Sequence, residues 1–324
     1  MQKTLSLILL FILIPLTCAA CITVKVELPT DQPAGTAVPV AAVPTRVPAS
    51  STPQASNTLT PVTPTKPQPM DTPMPTLTQS PVPLPTAPGT VTTYRQLTVT
   101  IPQSIAKGAS SRDFQRLDNP NAAWWQKTPG HLQVSLADYY ILKGKTHQPA
   151  IYIYPASEYG LMVPAAFESI HRLNNYLYAP NNVPALNQLP NVPFINAKLL
   201  FAAHIQQVSF QNGSGVRFLA EYGQSPISAN NTDLFYNYIG ITRDGAWYVV
   251  AIFPVTSPVL AETPDAGAPL PTRGIPYPFA ANPKANMDAY YIAITDLLNV
   301  QLPASFSPSL ADLDILIQSI RIEP

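Results

Sequence analysis

Hydrophobic positions along the chain fall into three regimes. Leu5 to Leu16 are almost continuously apolar, interrupted at Ser6 and Pro15. From about residue 22 to residue 92 no apolar period survives, and Pro recurs every few residues among Thr, Ser and Ala. Beyond Tyr94 ordered periods return. Tyr94 to Ile101 alternates Leu97, Val99 and Ile101 with polar residues, which predicts a half-buried strand. Asn119 to His131 reads as a loop, Leu132 to Leu142 is ambiguous, and Pro149 to Tyr154 is strand-like. Pro164 suits a first helical turn, and Ala166, Ile170, Leu173 and Leu177 follow at helical spacing. Asn196 to Ala203 is expected as a short helix.

Two hairpins are the best-marked features. Ile205 to Phe210 and Val216 to Tyr222 flank Asn212-Gly213-Ser214-Gly215, whose glycines are expected to serve the turn. Leu234 to Thr242 and Trp247 to Val255 flank Asp244-Gly245, a pair suited to a positive-φ turn. All four strands are rich in Phe, Tyr, Ile and Val, as a sheet with a buried face requires. A long Pro/Gly loop covers Ser257 to Pro283. Asn282-Pro283 reads as an N-cap and first helical residue, opening a helix to about Asn299 with Met287, Tyr290, Ile294 and Leu297 on one face. Ser307-Pro308 repeats the device for a helix to about Ser319, and Ile320 to Ile322 is a closing strand. The pattern predicts an α+β domain: a largely antiparallel sheet with central hairpins, flanked by helices and preceded by a disordered Pro-rich linker.

Composition fixes the chain's setting. The apolar N-terminal run is shorter than the about 20 residues a membrane-spanning helix needs. Lys3, the apolar core and the small pair Ala19-Ala20 describe a secretory signal peptide. Because that pair leads directly into Cys21, the segment resembles the bacterial lipobox, with Cys18 where the family usually has Leu. The resemblance implies cleavage after Ala20, lipidation of Cys21 and a membrane-anchored, extracytoplasmic protein. The alternative is an ordinary signal peptide that leaves a free N-terminal thiol. The two Cys are Cys18 and Cys21, so the exported domain has no disulfide. Residues 1–20 are thus the signal peptide, 21–92 the lipidated Cys and stalk, and 93–324 one globular domain. Pro blocks helix and sheet and favours an extended chain, and about 65 such residues at about 3.1 Å each reach on the order of 200 Å. The stalk is expected to act as a spacer. The lipobox, stalk and single domain together resemble uncharacterised envelope lipoproteins of bacteria. The closing helix and strand, through Ser319-Ile320-Arg321-Ile322, are similar to the end of the Mog1/PsbP-like α/β/α sandwich.

Charge narrows the partners. Lys and Arg total 18 against 18 Asp and Glu, and charged residues make up 11% of the chain, against about 25% in typical domains. Such a surface lacks the basic face that nucleic acid demands. No Walker or dinucleotide-type glycine pattern occurs, and no cofactor is expected. The four His are unpaired. Glu168 and His171 share a helix face at the spacing of di-iron bundles, which need two such motifs, so a surface pair is the expectation and no metal site is assigned. Gly213-Ser214-Gly215 has the wrong spacing for a nucleophile elbow. Asp312 and Asp314 are explained by the helix dipole. A glycosidase-type carboxylate pair including Glu158 or Glu221 carries no sequence signal, and no catalytic residue is named. The aromatics of the Pro-rich loops, Trp124, Trp125, Tyr178, Tyr277 and Phe279, are the candidate ligand contacts, because rings offer large rigid area. The competing expectation is that they plug the ends of the sheet. The leading function is a lipid-anchored binding or assembly module of the cell envelope, with an envelope protein, peptide or carbohydrate as ligand. A surface-displayed hydrolase is the alternative.

Overall fold

The computed structural model describes residues 88–140, 143–179, 184–265 and 267–324. Cys21 and the proline-rich stretch up to residue 87 lie outside them. The first hairpin is β1 (Gly89–Tyr94) and β2 (Leu97–Pro102), followed by β3 (Gly108–Phe114), β4 (His131–Ala137) and β5 (Ala150–Pro155). Two helices come next, α1 (Ala156–Met162) and α2 (Pro164–Tyr178). Four long strands follow: β6 (Lys198–Phe210), β7 (Gly213–Gly223), β8 (Phe235–Thr242) and β9 (Trp247–Pro254). The chain ends with α3 (Met287–Asn299), α4 (Leu310–Gln318) and β10 (Arg321–Ile322).

The domain is α+β, and its strand pairs are antiparallel throughout the two sheets. Seven strands form one sheet in the order β3-β4-β5-β9-β8-β7-β6, and β1-β2-β10 form a small second sheet. Side chains alternate across a strand, so the large sheet feeds two cores. Tyr154, Phe218, Phe235 and Tyr248 pack with Ala166 and Leu173 of α2. Ile151, Phe201, Tyr236 and Phe253 point the other way, with Val99 of β2, Ile294 of α3 and Leu313 of α4. Cover on both faces explains why β9 is buried from Tyr248 through Pro254, with no polar alternation.

Several sequence expectations shift. The Tyr94–Ile101 strand is the second arm of a hairpin that begins at Gly89, with Arg95 at φ 50° in its turn. Residues 196–203 are not a helix. Leu199 to Ala203 lie in β6 and pair with β7, and this tertiary pairing overrides the helical propensity of Leu-Leu-Phe-Ala-Ala. The helix starts also move: Asn286, whose side chain accepts from Ala289 N, caps α3, and Ser309 caps α4. Gly213 and Gly215 belong to β7, with the turn at Gln211-Asn212. A Cβ on Gly215 would stand 2.3 Å from Ile239 O and 2.6 Å from the Tyr238 ring, so these glycines admit a close strand and an overlying ring.

Candidate functional site

A broad concavity lies where α2 meets the turns of the sheet. Val163 is extended between the two helices, and Pro164 opens α2 at its first turn. The inner face of α2 presents Ala166, Ser169, Leu173 and Tyr176 to the core. Ser169 is satisfied there: its hydroxyl donates to Asn191 O at 2.5 Å and lies 2.9 Å from the Tyr248 hydroxyl. That leaves a second stripe, Phe167, His171, Asn174 and Tyr178, at i, i+4, i+7 and i+11 on the outside. Together with Leu161 of α1 it lines a groove of about 730 Å³.

The opposite wall is the β8–β9 turn, and Ser214 and Ile241 also line the groove. Local chemistry holds that turn. Gly245 takes φ 71°, and Asp244 Oδ1 accepts from Thr242 Oγ1 at 2.5 Å and from Ala246 N at 3.0 Å. The Thr242 hydroxyl, then the Ala246 amide, holds the Asp244 carboxyl below the usual carboxylate range. The groove thus has one rigid polar wall and one apolar wall.

The apolar wall is open to solvent. Leu161 is 88% exposed, Phe167 62% and Tyr178 89%. No known family model, curated protein or solved structure matches the chain. Exposed large apolar side chains grouped on one groove mark binding surfaces, because scattered ones are ordinary and clustered ones are not.

The five aromatics named from sequence do not form one rim. Trp124 and Trp125 occupy a single 3-10 turn between β3 and β4, edge to face at 5.5 Å, and both are exposed. Trp124 lines a smaller cavity of about 200 Å³ beside Ser169 and Arg172 of α2. Tyr178 lines the main groove. Tyr277 and Phe279 pack at 5.8 Å on the opposite side of the sheet, where Tyr277 meets Tyr290 of α3 at 5.7 Å and donates to Pro226 O at 2.9 Å. Leu161 and Phe167 were not named from sequence. Phe167 has one signal, its position off the Ala166-Ile170-Leu173-Leu177 stripe of α2, and Leu161 on α1 has none.

Besides Tyr178, the titratable side chains on the groove are His171, Arg243 and Asp244, and His171 and Asp244 each have a local partner. Glu168 accepts from Arg172 Nε at 2.9 Å, and His171 Nε2 lies 3.2 Å from Asn175 Nδ2. Glu158 pairs with Arg116 at 2.6 Å. Among the described residues no three His, Cys, Asp or Glu are grouped to hold a metal ion. Glu221 is fully buried: Oε1 accepts from Asn230 N at 2.7 Å, and Oε2 has no partner among the described residues. Lys145 nearby donates to the carbonyls of Asn231 and Val255. These groups join the loops at 228–233 and 255–262 and line neither the groove nor the Trp124 cavity.

Burial pushes the Glu221 carboxyl well above the usual range. A carboxyl raised in the fold contributes stability that is complete below the unfolded value of about 4.3 and is lost as pH climbs through the folded value. Glu221→Gln is therefore expected to raise the melting temperature at pH 8 and leave it nearly unchanged at pH 4. Thermal melts at the two pH values check the sign.

Proposed function

We propose that the protein is a lipid-anchored, extracytoplasmic binding module of the bacterial cell envelope. Cys21 holds it at the membrane, the proline-rich stalk sets its distance, and the groove between α2 and the β8–β9 turn docks an apolar surface of a neighbouring envelope protein. The observation that carries this reading is the exposure of Leu161, Phe167 and Tyr178 on one groove. Each such side chain contributes about 1.5–3 kcal/mol when fully buried, and aromatic anchors of this kind dominate interfaces. A protein surface fits better than a sugar, because two of the three anchors, Leu161 and Phe167, have no polar atom to read a hydroxyl. The near-neutral charge leaves docking to apolar contact and disfavours nucleic acid.

A photo-crosslinking amino acid placed at position 178 in the membrane-bound full chain tests the groove. A discrete adduct is expected, lost when Phe167→Asp and Leu161→Asp are added and absent from a probe at exposed Val91. Equal labelling from both positions, or an adduct indifferent to the two Asp substitutions, would overturn the reading.

A further inference from the structure

A second site lies beside α2, where three segments of the chain meet. Trp124 from the turn between β3 and β4, Glu168 and Arg172 of α2, and Asn191, Val192 and Ile195 line a cavity of about 200 Å³. Arg172 and Asn191 also line a second cavity, of about 350 Å³, together with Asn187 and Lys198. The two cavities therefore adjoin through a shared guanidinium and a shared amide. None of these side chains lines the groove of Leu161, Phe167 and Tyr178.

The walls are held in place, and the two cavities differ in charge. Ser169, 1% exposed, donates to Asn191 O at 2.5 Å and ties the 191–197 segment to α2. In the first cavity charge cancels, because Glu168 Oε1 accepts from Arg172 Nε at 2.9 Å. That pair is i, i+4 on one helix and is explained by its spacing. Trp124 is 40% exposed and its turn buries no residue, so the ring does not plug the core. In the second cavity both charged residues, Arg172 and Lys198, are cations. Lys198 is exposed and has no ion-pair partner among the described residues. Neither Lys198 nor the exposed indole is accounted for by the stability of the fold.

We infer that the two cavities bind an oligosaccharide that carries carboxylate groups. A pyranose ring has an apolar face of C–H bonds and a rim of hydroxyls. The apolar face suits the indole of Trp124, which offers a large rigid area. Neighbouring hydroxyls on the rim suit Glu168 as acceptor and Arg172 as donor, and hydrogen bonds to such ionised groups are the strong ones. Val192 and Ile195 supply the apolar part that small-molecule sites need beside a few placed polar groups. A carboxylate on the next sugar unit meets Arg172 and Lys198 in the second cavity. An apolar protein surface laid here would bury the Lys198 charge without a partner, which is costly. The ligand class thus differs from that of the α2 groove, and it is read from side chains that do not depend on Cys21.

The test uses the full chain and two β-linked probes. One is peptidoglycan strand freed of its peptides, in which alternate units carry a lactyl carboxylate. The other is chitohexaose, which is neutral. The chain has three Trp, so in a Trp247→Phe background the emission reports Trp124 and Trp125 alone. A saturable change in emission is expected with the acidic strands, and binding of chitohexaose at least about tenfold weaker, the loss for one hydrogen bond to a charged group. Lys198→Ala should weaken the acidic strands by a similar factor and leave chitohexaose unchanged. Trp124→Ala, followed by calorimetry, should abolish binding of both, and its melting temperature should stay that of the wild type. Leu161→Asp, on the other groove, should change nothing. No saturable binding of the acidic strands, equal affinity for the two probes, or binding indifferent to Trp124→Ala would each overturn the inference.

Discussion

Arg217→Ala is expected to destabilise the domain by about 3–5 kcal/mol, the range for removing one partner of a buried ion pair. Arg217 is 3% exposed on β7 and points into the core shared with α4. Its Nε donates to Asp314 Oδ1 at 3.2 Å, one Nη donates to Gln206 Oε1 at 2.6 Å, and the other donates to the His204 carbonyl. Tyr236 completes the group, its hydroxyl donating to Asp314 Oδ1 at 2.7 Å. Removing the guanidinium leaves the largely buried Asp314 carboxylate without its counter-charge, held by the Tyr236 hydroxyl alone, and takes the Arg217 donor from the His204 carbonyl. The double variant Arg217→Met, Asp314→Leu is expected to lose less than the sum of the two single variants, because neither charge is then left alone. Urea unfolding of the four proteins measures both numbers. Additive losses would mean the pair is not coupled.

The opposite sign is expected at Asn237. It sits in the middle of β8, fully buried, opposite Phe218 on β7 and Ile252 on β9. Neither amide atom of its side chain has a hydrogen-bond partner among the described residues. By alternation along β8 the side chain shares its face with Phe235 and Ile239, beneath α2. A buried polar group without a partner costs about 1–3 kcal/mol, and an apolar residue of the same shape removes that cost. Asn237→Leu should therefore stabilise the domain by about that amount, read as a higher urea midpoint with an unchanged slope. A drop in the midpoint would mean that the amide makes a bond essential to the core.

Features with local causes were legible in the sequence. Asp244-Gly245 marks its turn by residue chemistry alone, and the inner stripe of α2 announces itself by spacing. Features with distant causes were not. Arg217 in Val-Arg-Phe-Leu looks like an outward residue of an alternating strand, and only Asp314, 97 positions later, places it inside. The dipole reading of Asp314 misses the same pair, whereas Asp312 does sit in the first turn of α4. Strand β3, Gly-Ala-Ser-Ser-Arg-Asp-Phe, shows no apolar alternation because it is a sheet edge with no fully buried residue. The groove was half visible: Tyr178 stands out as an aromatic of a Pro-rich loop and proves to be the last residue of α2, whereas Phe167 reads as one more apolar residue of an amphipathic helix. Tyr277 and Phe279 share the loop chemistry of Trp124 and Trp125, yet packing sends them to the other side of the sheet.

Whether this domain works from a membrane anchor is decided most directly by the intact mass and detergent partitioning of the full chain beside Cys21→Ala. The expected result is a wild-type mass equal to the polypeptide from Cys21 plus acyl and glyceride groups, in the detergent phase, with the variant uncleaved or in the aqueous phase. A wild-type mass equal to bare polypeptide, partitioning into water like the variant, would contradict the tethered binding module.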